Sequence, residues 1–162
     1  MALSAVSVLQ ARMGSARLPG KAMAFVAGRP IVAHCLARLL RAGTGPLVLA
    51  TTADEADDVL AVEAGAAGAA VFRGRRHDVL SRFAAIARQA DAAVVIRATG
   101  DNPAVDVEAA GRAIETLRRA GADYCCEIGL PYGAAVEACR TDVLLDADRR
   151  ATAAGDREHV TS

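Results

Sequence analysis

Short apolar runs rich in Val, Leu and Ala alternate with longer stretches patterned as amphipathic helices, and this alternation restricts the fold more than any other feature of the chain. The candidate strands are 5–10, 47–51, 69–72, 93–97 and 123–127. Each is too continuously apolar for a strand with one wet face, and reads as a strand covered on both sides. Between them, Pro30 suits the first turn of a helix running to residue 41 and closed by Gly43. Asp54 is placed to cap a helix over 54–64 followed by Gly65. The stretch 77–90 puts Val79, Leu80, Phe83, Ile86 and Ala87 on one face. Asp106 precedes a helix to residue 120 closed by Gly121, and Thr141 precedes another to residue 153. The order β-α-β-α-β-α-β-α-β predicts an α/β domain with a mainly parallel sheet, right-handed crossovers and helices on both faces. Ligands of such sheets sit beyond the carboxyl ends of the strands, so the loops after the first four strands are the informative ones.

Composition removes several classes of function. The 162 residues suit one domain spanning 1–162, and 19 Lys+Arg balance 19 Asp+Glu, so no net charge draws the chain to a polyanion. With three Phe, two Tyr and no Trp, stacking platforms for nucleic acid are scarce. No apolar run approaches the roughly 18–20 residues that span a bilayer, and the N-terminus lacks the basic region of a signal peptide. A cytoplasmic protein with neither nucleic-acid nor membrane partners is expected. Cys35, Cys125, Cys126 and Cys139 form no CxxC pair, which suggests reduced thiols rather than a zinc site or a disulfide framework.

The loop after the first strand reads QARMGSARLPGK over residues 10–21. Gly14, Gly20 and Ser15 expose backbone N–H groups, while Arg12, Arg17 and Lys21 bring positive charge together, a combination that cradles a polyphosphate. Three cations within ten residues repel one another unless an anion holds them. The loop is not a Walker A motif: five residues separate Gly14 from Gly20, and Ala22 stands where a Mg²⁺-binding hydroxyl is required. No GxGxxG fingerprint occurs.

After the fourth strand comes RATGDNP over 97–103, where Gly100 turns the chain and Asp101 presents a carboxylate at the strand's carboxyl end. Opposite a polyphosphate loop, that carboxylate is a natural Mg²⁺ ligand. The basic segment 73–82, with Asp78 placed to cap the following helix, suits either contact with a base or phosphate or a solvated turn. The segments 130–137 and 157–161 read equally as substrate-facing loops or as a turn and a helix start. On the residues alone, the reading stops at a phosphate loop and an acidic metal site on an α/β sheet.

The motifs QARMGSxRLPGK, ATT, VFRGxxxDVLxR, RxTGDxP and REHVT, here at 10–21, 50–52, 71–82, 97–103 and 157–161, resemble the cytidylyltransferases of the spore-coat polysaccharide type, relatives of the CMP-Kdo and CMP-sialic acid synthetases. The resemblance spans nearly the whole chain. It implies a Rossmann-like (GT-A-like) nucleotidyltransferase fold, a three-layer sandwich, with CTP as donor and Mg²⁺ as cofactor. It implies that Arg12, Arg17 and Lys21 hold the triphosphate, with Gly14 and Ser15 approaching through the backbone and Gln10, Thr52, Arg73, Asp78, Thr99 and Gly100 near the nucleotide. Arg97, Asn102, Glu137, Arg157 and His159 would then face the acceptor, and Lys21, Arg12 and Asp101 would carry catalysis. Asp101 would bind the metal with Glu137 as its second ligand.

Two departures qualify the resemblance. The family's GxDVE pattern reads Gly133-Ala-Ala-Val-Glu137, so Ala135 replaces a carboxylate, and Ser162 ends the chain before the acidic segment that family members carry after REHVT. This suggests a shortened branch, or one domain of a larger chain that works with a fused second domain or as a homodimer. Compact domains of this type occur fused to phosphoenolpyruvate mutase in phosphonate pathways, so the implied acceptor is a hydroxyalkylphosphonate, such as 2-hydroxyethylphosphonate, or a sugar acid. A GTP or UTP donor, or a non-catalytic nucleotide-binding module, are the alternatives.

Overall fold

Strand β1 (Ala5–Gln10) occupies the interior of a six-stranded sheet in the computed structural model, which describes residues 3–15 and 18–161. It pairs in parallel with β4 (Leu47–Thr52) on one side and β6 (Val94–Thr99) on the other. Beyond β4 lies β5 (Ala70–Gly74), also parallel. Beyond β6 the direction reverses: β8 (Glu137–Arg140) runs antiparallel to β6, and β7 (Tyr124–Cys126) antiparallel to β8. The short strands β2 (Phe25–Val26) and β3 (Arg29–Pro30) make a separate antiparallel hairpin.

Among the described residues, six α-helices flank the sheet: α1 (Ile31–Ala42), α2 (Asp58–Ala67), α3 (Val79–Ala90), α4 (Ala109–Ala120), α5 (Thr141–Arg150) and α6 (Ala154–His159). Side chains alternate across each strand, so one sequence feeds two cores. Leu9, Leu49 and Ile96 meet Leu36 of α1, Leu60 of α2 and Leu117 of α4 on one face. Val6, Val8 and Val95 meet Phe83 and Ile86 of α3 and Leu144 of α5 on the other. Burying each such side chain contributes about 1.5–3 kcal/mol, and the result is the three-layer α/β architecture that the alternation predicts.

Several boundaries differ from expectation, each for a local reason. The chain forms a 3-10 turn over Glu55–Asp57 before α2, so Asp54 makes no side-chain cap and the helix runs past Gly65 to close at Gly68, φ 85°. Helix α4 starts at Ala109, because the Asp106 carboxylate accepts the Glu108 N–H at 3.1 Å and pairs with Arg112 at 2.5 Å. Thr141 is the first residue of α5 rather than its cap. Strand β8 is absent from the expected set, since four residues ending in Glu137 and Arg140 carry no strand pattern of their own. The expectation that every strand is covered on both sides fails at the sheet edges, where Val71 of β5 and Tyr124 of β7 are 38% and 44% exposed. Among the described residues, no helix is long and apolar enough to cross a membrane.

One buried carboxylate fixes the loop after β1 to the sheet. Asp57 is 2% exposed. Its Oδ1 accepts the Met13 N–H at 2.7 Å, while its Oδ2 accepts the Thr52 hydroxyl at 2.5 Å, the Thr51 hydroxyl at 3.1 Å and the Thr52 N–H at 3.2 Å. Burial pushes its pKa up, but these four hydrogen bonds outweigh burial and hold it below its ordinary value. A group whose folded pKa is depressed contributes stability that is present above its unfolded pKa and lost as pH falls through the folded value. Asp57→Asn should therefore cost about 2–3 kcal/mol at neutral pH. Urea unfolding from pH 7 downward should show the difference from wild type shrinking once the pH drops below the unfolded value of 3.8.

Candidate active site

The topology creates a crevice where the crossovers change direction. From β1 the chain moves outward to β4 and β5, then returns past β1 to β6, so the loops after β1 and β6 leave the sheet side by side. Such switch points at the carboxyl ends of strands are where α/β sheets bind ligands. Here the two exits are held tightly: the Gly100 N–H donates to the Gln10 carbonyl at 2.7 Å. A side chain at Gly100 would place its Cβ 2.6 Å from that of Ala11, so close approach of the two loops, not a left-handed turn, demands glycine there.

Between these loops opens a cleft of about 860 Å³. Of the residues that the sequence singles out, Gln10, Arg12, Ser15, Lys21, Arg97, Thr99, Gly100, Asp101, Asn102 and His159 line it. Gly14 lies under the Arg76 guanidinium, whose Nη2 would be 2.5 Å from a Cβ at that position. Arg17 lies outside the described residues. A second hollow of about 550 Å³ sits at the opposite end of β6, against Leu3, Val94 and Leu117, and contains none of the motif residues that face the cleft.

The cleft wall is cationic. Among the described residues, Arg12, Lys21, Arg82 and Arg97 line it against a single carboxylate, that of Asp101. Lys21 Nζ reaches across the cleft to Asp101 Oδ2 at 2.7 Å. Burial raises the Asp101 pKa, but the Lys21 hydrogen bond and a smaller contribution from Thr99 bring it below its ordinary value, so the carboxylate is ionised at neutral pH. Arg12 Nη2 bonds Glu158 of α6 at 3.1 Å. The Asn102 amide donates to Thr99 Oγ1 at 2.9 Å. Cations outnumber the carboxylate in this lining, and an excess of one sign in a cleft favours a ligand of the other.

Other expected site residues do not line the cleft and are bonded to neighbouring elements. Glu137 does not line the cleft: Oε1 accepts Arg97 Nη1 at 2.5 Å and Oε2 accepts the Thr161 hydroxyl at 2.5 Å, so one oxygen holds Arg97 and the other holds Thr161. The expectation that Glu137 joins Asp101 as a metal ligand therefore finds the two carboxylates apart, Asp101 in the cleft and Glu137 outside its lining, and the described residues contain no group of three or more His, Cys, Asp or Glu suited to a metal. Thr52 is buried on Asp57. Arg73 clasps the exits of β4 and β5, donating to the carbonyls of Thr52 at 2.9 Å and Asp54 at 3.0 Å and pairing with Asp58. Asp78 caps α3 through the Ser81 N–H at 3.1 Å and receives Arg157 Nε at 2.8 Å. Arg157 also bonds Asp148, so it pins α6 to α3 and α5.

Three residues at or behind the cleft are not among the expected site residues, although Arg82 and Tyr132 lie in segments that the sequence singles out. Asp57 sets the loop from behind and carries no motif signal. Tyr132 stands fully exposed at the mouth of the cleft. Arg82 lies on the buried face of α3, three residues after Val79 and four before Ile86, and an arginine on an apolar helical stripe is a signal that the sequence does offer.

The chain is similar to known proteins over nearly its whole length. It is 35% identical over 165 residues to the spore coat polysaccharide biosynthesis protein SpsF of Bacillus subtilis, covering 95% of this chain and 67% of that protein. It is 30% identical over 151 residues to the 3-deoxy-manno-octulosonate cytidylyltransferase of Yersinia enterocolitica, covering 90% of this chain and 59% of the relative. The structure of a cytidylyltransferase from Leptospira borgpetersenii superimposes with a TM-score of 0.91 at 27% identity, covering 98% of this chain and 69% of that one. The same fold, at 20% identity and a TM-score of 0.72, occurs in a CMP:2-keto-3-deoxy-manno-octonic acid synthetase complexed with CTP, where 94% of this chain matches 80% of the other. Residues 6–162 match the sequence profile described as Cytidylyltransferase, and the chain belongs to the cytidylyltransferase family.

Proposed function

We propose that the protein transfers CMP from CTP to a small anionic acceptor and releases pyrophosphate. The observation that carries this reading is the juxtaposition of Lys21 and Asp101 across a cationic cleft at the switch point, 2.7 Å apart. In this reading Arg12 and Lys21 hold the triphosphate, with Gly14 and Ser15 offering backbone N–H groups. Gln10, Thr99 and Gly100 border the nucleotide, while Arg97, Asn102 and His159 face the acceptor. An acceptor oxygen attacks the α-phosphorus, the bond to the pyrophosphate oxygen breaks, and the departing charge is received by Lys21 and Arg12. Chemistry of this kind depends on positioning and charge neutralisation rather than on a protein nucleophile.

The donor set fits Mg²⁺, which is commonly held by one or two carboxylates together with phosphate oxygens and water. Asp101 is the carboxylate that would hold it, and the ion would neutralise charge on the phosphate oxygens. The names of relatives such as the Yersinia enterocolitica enzyme support a sugar acid as acceptor. A hydroxyalkylphosphonate presents the same combination of nucleophilic oxygen and negative charge.

The deciding experiment is ³¹P NMR of the protein with Mg²⁺, CTP and each acceptor class in turn. Pyrophosphate with a new phosphodiester signal is expected from a sugar acid, and a phosphonate–phosphate anhydride signal would assign the phosphonate instead. CTP binding without turnover of any acceptor would favour a non-catalytic nucleotide-binding module, a reading supported by Asp101 being the one carboxylate that lines the cleft among the described residues. Asp101→Ala should lower kcat at least about 100-fold. Its affinity for CTP without metal should not fall, because the substitution releases Lys21. Turnover near the wild-type rate would remove Asp101 from the site.

A further inference from the structure

Arg82 is a buried guanidinium that the scaffold leaves unsatisfied. It is 1% exposed, it lines the cleft, and its Nε and Nη1 have no hydrogen-bond partner among the described residues. The other arginines of the cleft wall are paired, Arg12 with Glu158 and Arg97 with Glu137. The carboxylates nearest in charge to Arg82, those of Asp57 and Asp78, are both engaged elsewhere, Asp57 by Met13, Thr51 and Thr52 and Asp78 by Ser81 and Arg157. Burial, and after it the positive charge of Arg12, act against protonation of Arg82.

A charged group buried without a partner costs free energy that folds rarely tolerate outside functional sites. Here the fold makes room for it. The aliphatic stem of Arg82 passes over Gly74, where a Cβ would lie 2.7 Å from Arg82 Cγ, so the glycine at the end of β5 admits the side chain to its position. The positive charge of Arg12 reaches Arg82, and the Glu158 carboxylate that Arg12 bonds makes no hydrogen bond to Arg82 among the described residues. An oxyanion between the two arginines would satisfy both, and planar guanidinium donors suit phosphate oxygens.

We propose that Arg82 is an anion-binding residue at the floor of the cleft, donating from its guanidinium to a phosphate oxygen of the bound nucleotide. The identity of the anion rests on the cytidylyltransferase reading. A carboxylate or phosphonate of the acceptor offers the same chemistry, and the test separates the two sources.

The test compares the full chain with Arg82→Met and Arg82→Lys by calorimetric titration with CTP and with inorganic pyrophosphate, by acceptor KM, and by the melting temperature without ligand. Arg82→Met should melt at or above the wild-type temperature, since it removes an unpaired buried charge, yet bind CTP about 10- to 100-fold more weakly. Arg82→Lys, which keeps the charge but loses the fork, should fall between the two. A lowered melting temperature with unchanged CTP affinity in both variants would overturn the proposal and make Arg82 a scaffold residue. Unchanged CTP affinity with a raised acceptor KM would overturn the assignment to the nucleotide. If wild type binds no CTP, the cytidylyltransferase reading fails by itself. Pyrophosphate then decides for Arg82: weaker binding by the variants supports an anion site, and equal or absent binding overturns it.

Discussion

The bond from the Gly100 N–H to the Gln10 carbonyl, 2.7 Å long, sets the exits of β1 and β6 against each other, and the cleft depends on that closeness. With the exits so joined, the loop that carries Arg12 and Lys21 leaves beside the loop that carries Asp101, and their side chains can meet across a space of ligand size. The constraint is steric as much as polar, since even a methyl group at Gly100 would collide with Ala11. Asp57 completes the frame from the β4 side by holding the Met13 N–H. The first loop is therefore tied at both flanks, to β6 through Gln10 and to β4 through Asp57, before any ligand arrives. Preorganisation of this kind reduces what a ligand must spend on ordering its site.

Much of this arrangement is legible in the chain. The first strand falls where the apolar run predicts it, because β1 is buried on both faces and its composition has no competing pattern. The start of α3 is marked by Asp78, whose cap is present. What could not be read has two physical origins. Strand β8 owes its conformation to pairing with β6, a tertiary influence on four residues without intrinsic preference. The end of α2 is obscured because an Ala-rich helix gives glycines at 65 and 68 equal local standing, and it is Gly68 that takes the left-handed cap, its N–H donating to the Ala64 and Gly65 carbonyls. Motif membership does not separate residues that line the cleft from residues that do not. Arg73, Asp78 and Arg157 belong to the same motifs as the cleft residues, yet they fasten β4 to β5 and α6 to α3. The distinction depends on which neighbours each charge finds, and sequence spacing does not report neighbours from distant elements.

The charges of the cleft are largely neutralised within the chain. Lys21 has Asp101, Arg12 has Glu158 and Arg97 has Glu137. An anion that engages Lys21 or Arg12 exchanges one carboxylate contact for another rather than adding a bare Coulombic gain, and exposed pairs of this sort are individually weak. Such an arrangement keeps a strongly basic wall compatible with folding while leaving its cations available. Ionic strength acts on both sides of the exchange, because the internal pair and the ligand pair are screened together.

The reversal of direction at β8 has a consequence of parity. A chain that leaves a sheet at the carboxyl ends of its strands must, after a parallel strand, send the next helix away from the ligand. Strand β8 instead begins beside Arg97, at the cleft end of β6, and finishes beside Val94 at the far end. Helix α5 must then travel back toward the cleft, and it delivers the following residues there, so that Glu158 meets Arg12 and His159 enters the wall. A single antiparallel strand thus lets a segment some sixty residues downstream of β6 share one ligand space with the loop that follows β1. Had β8 been laid parallel, the same helix would have ended on the opposite rim of the sheet.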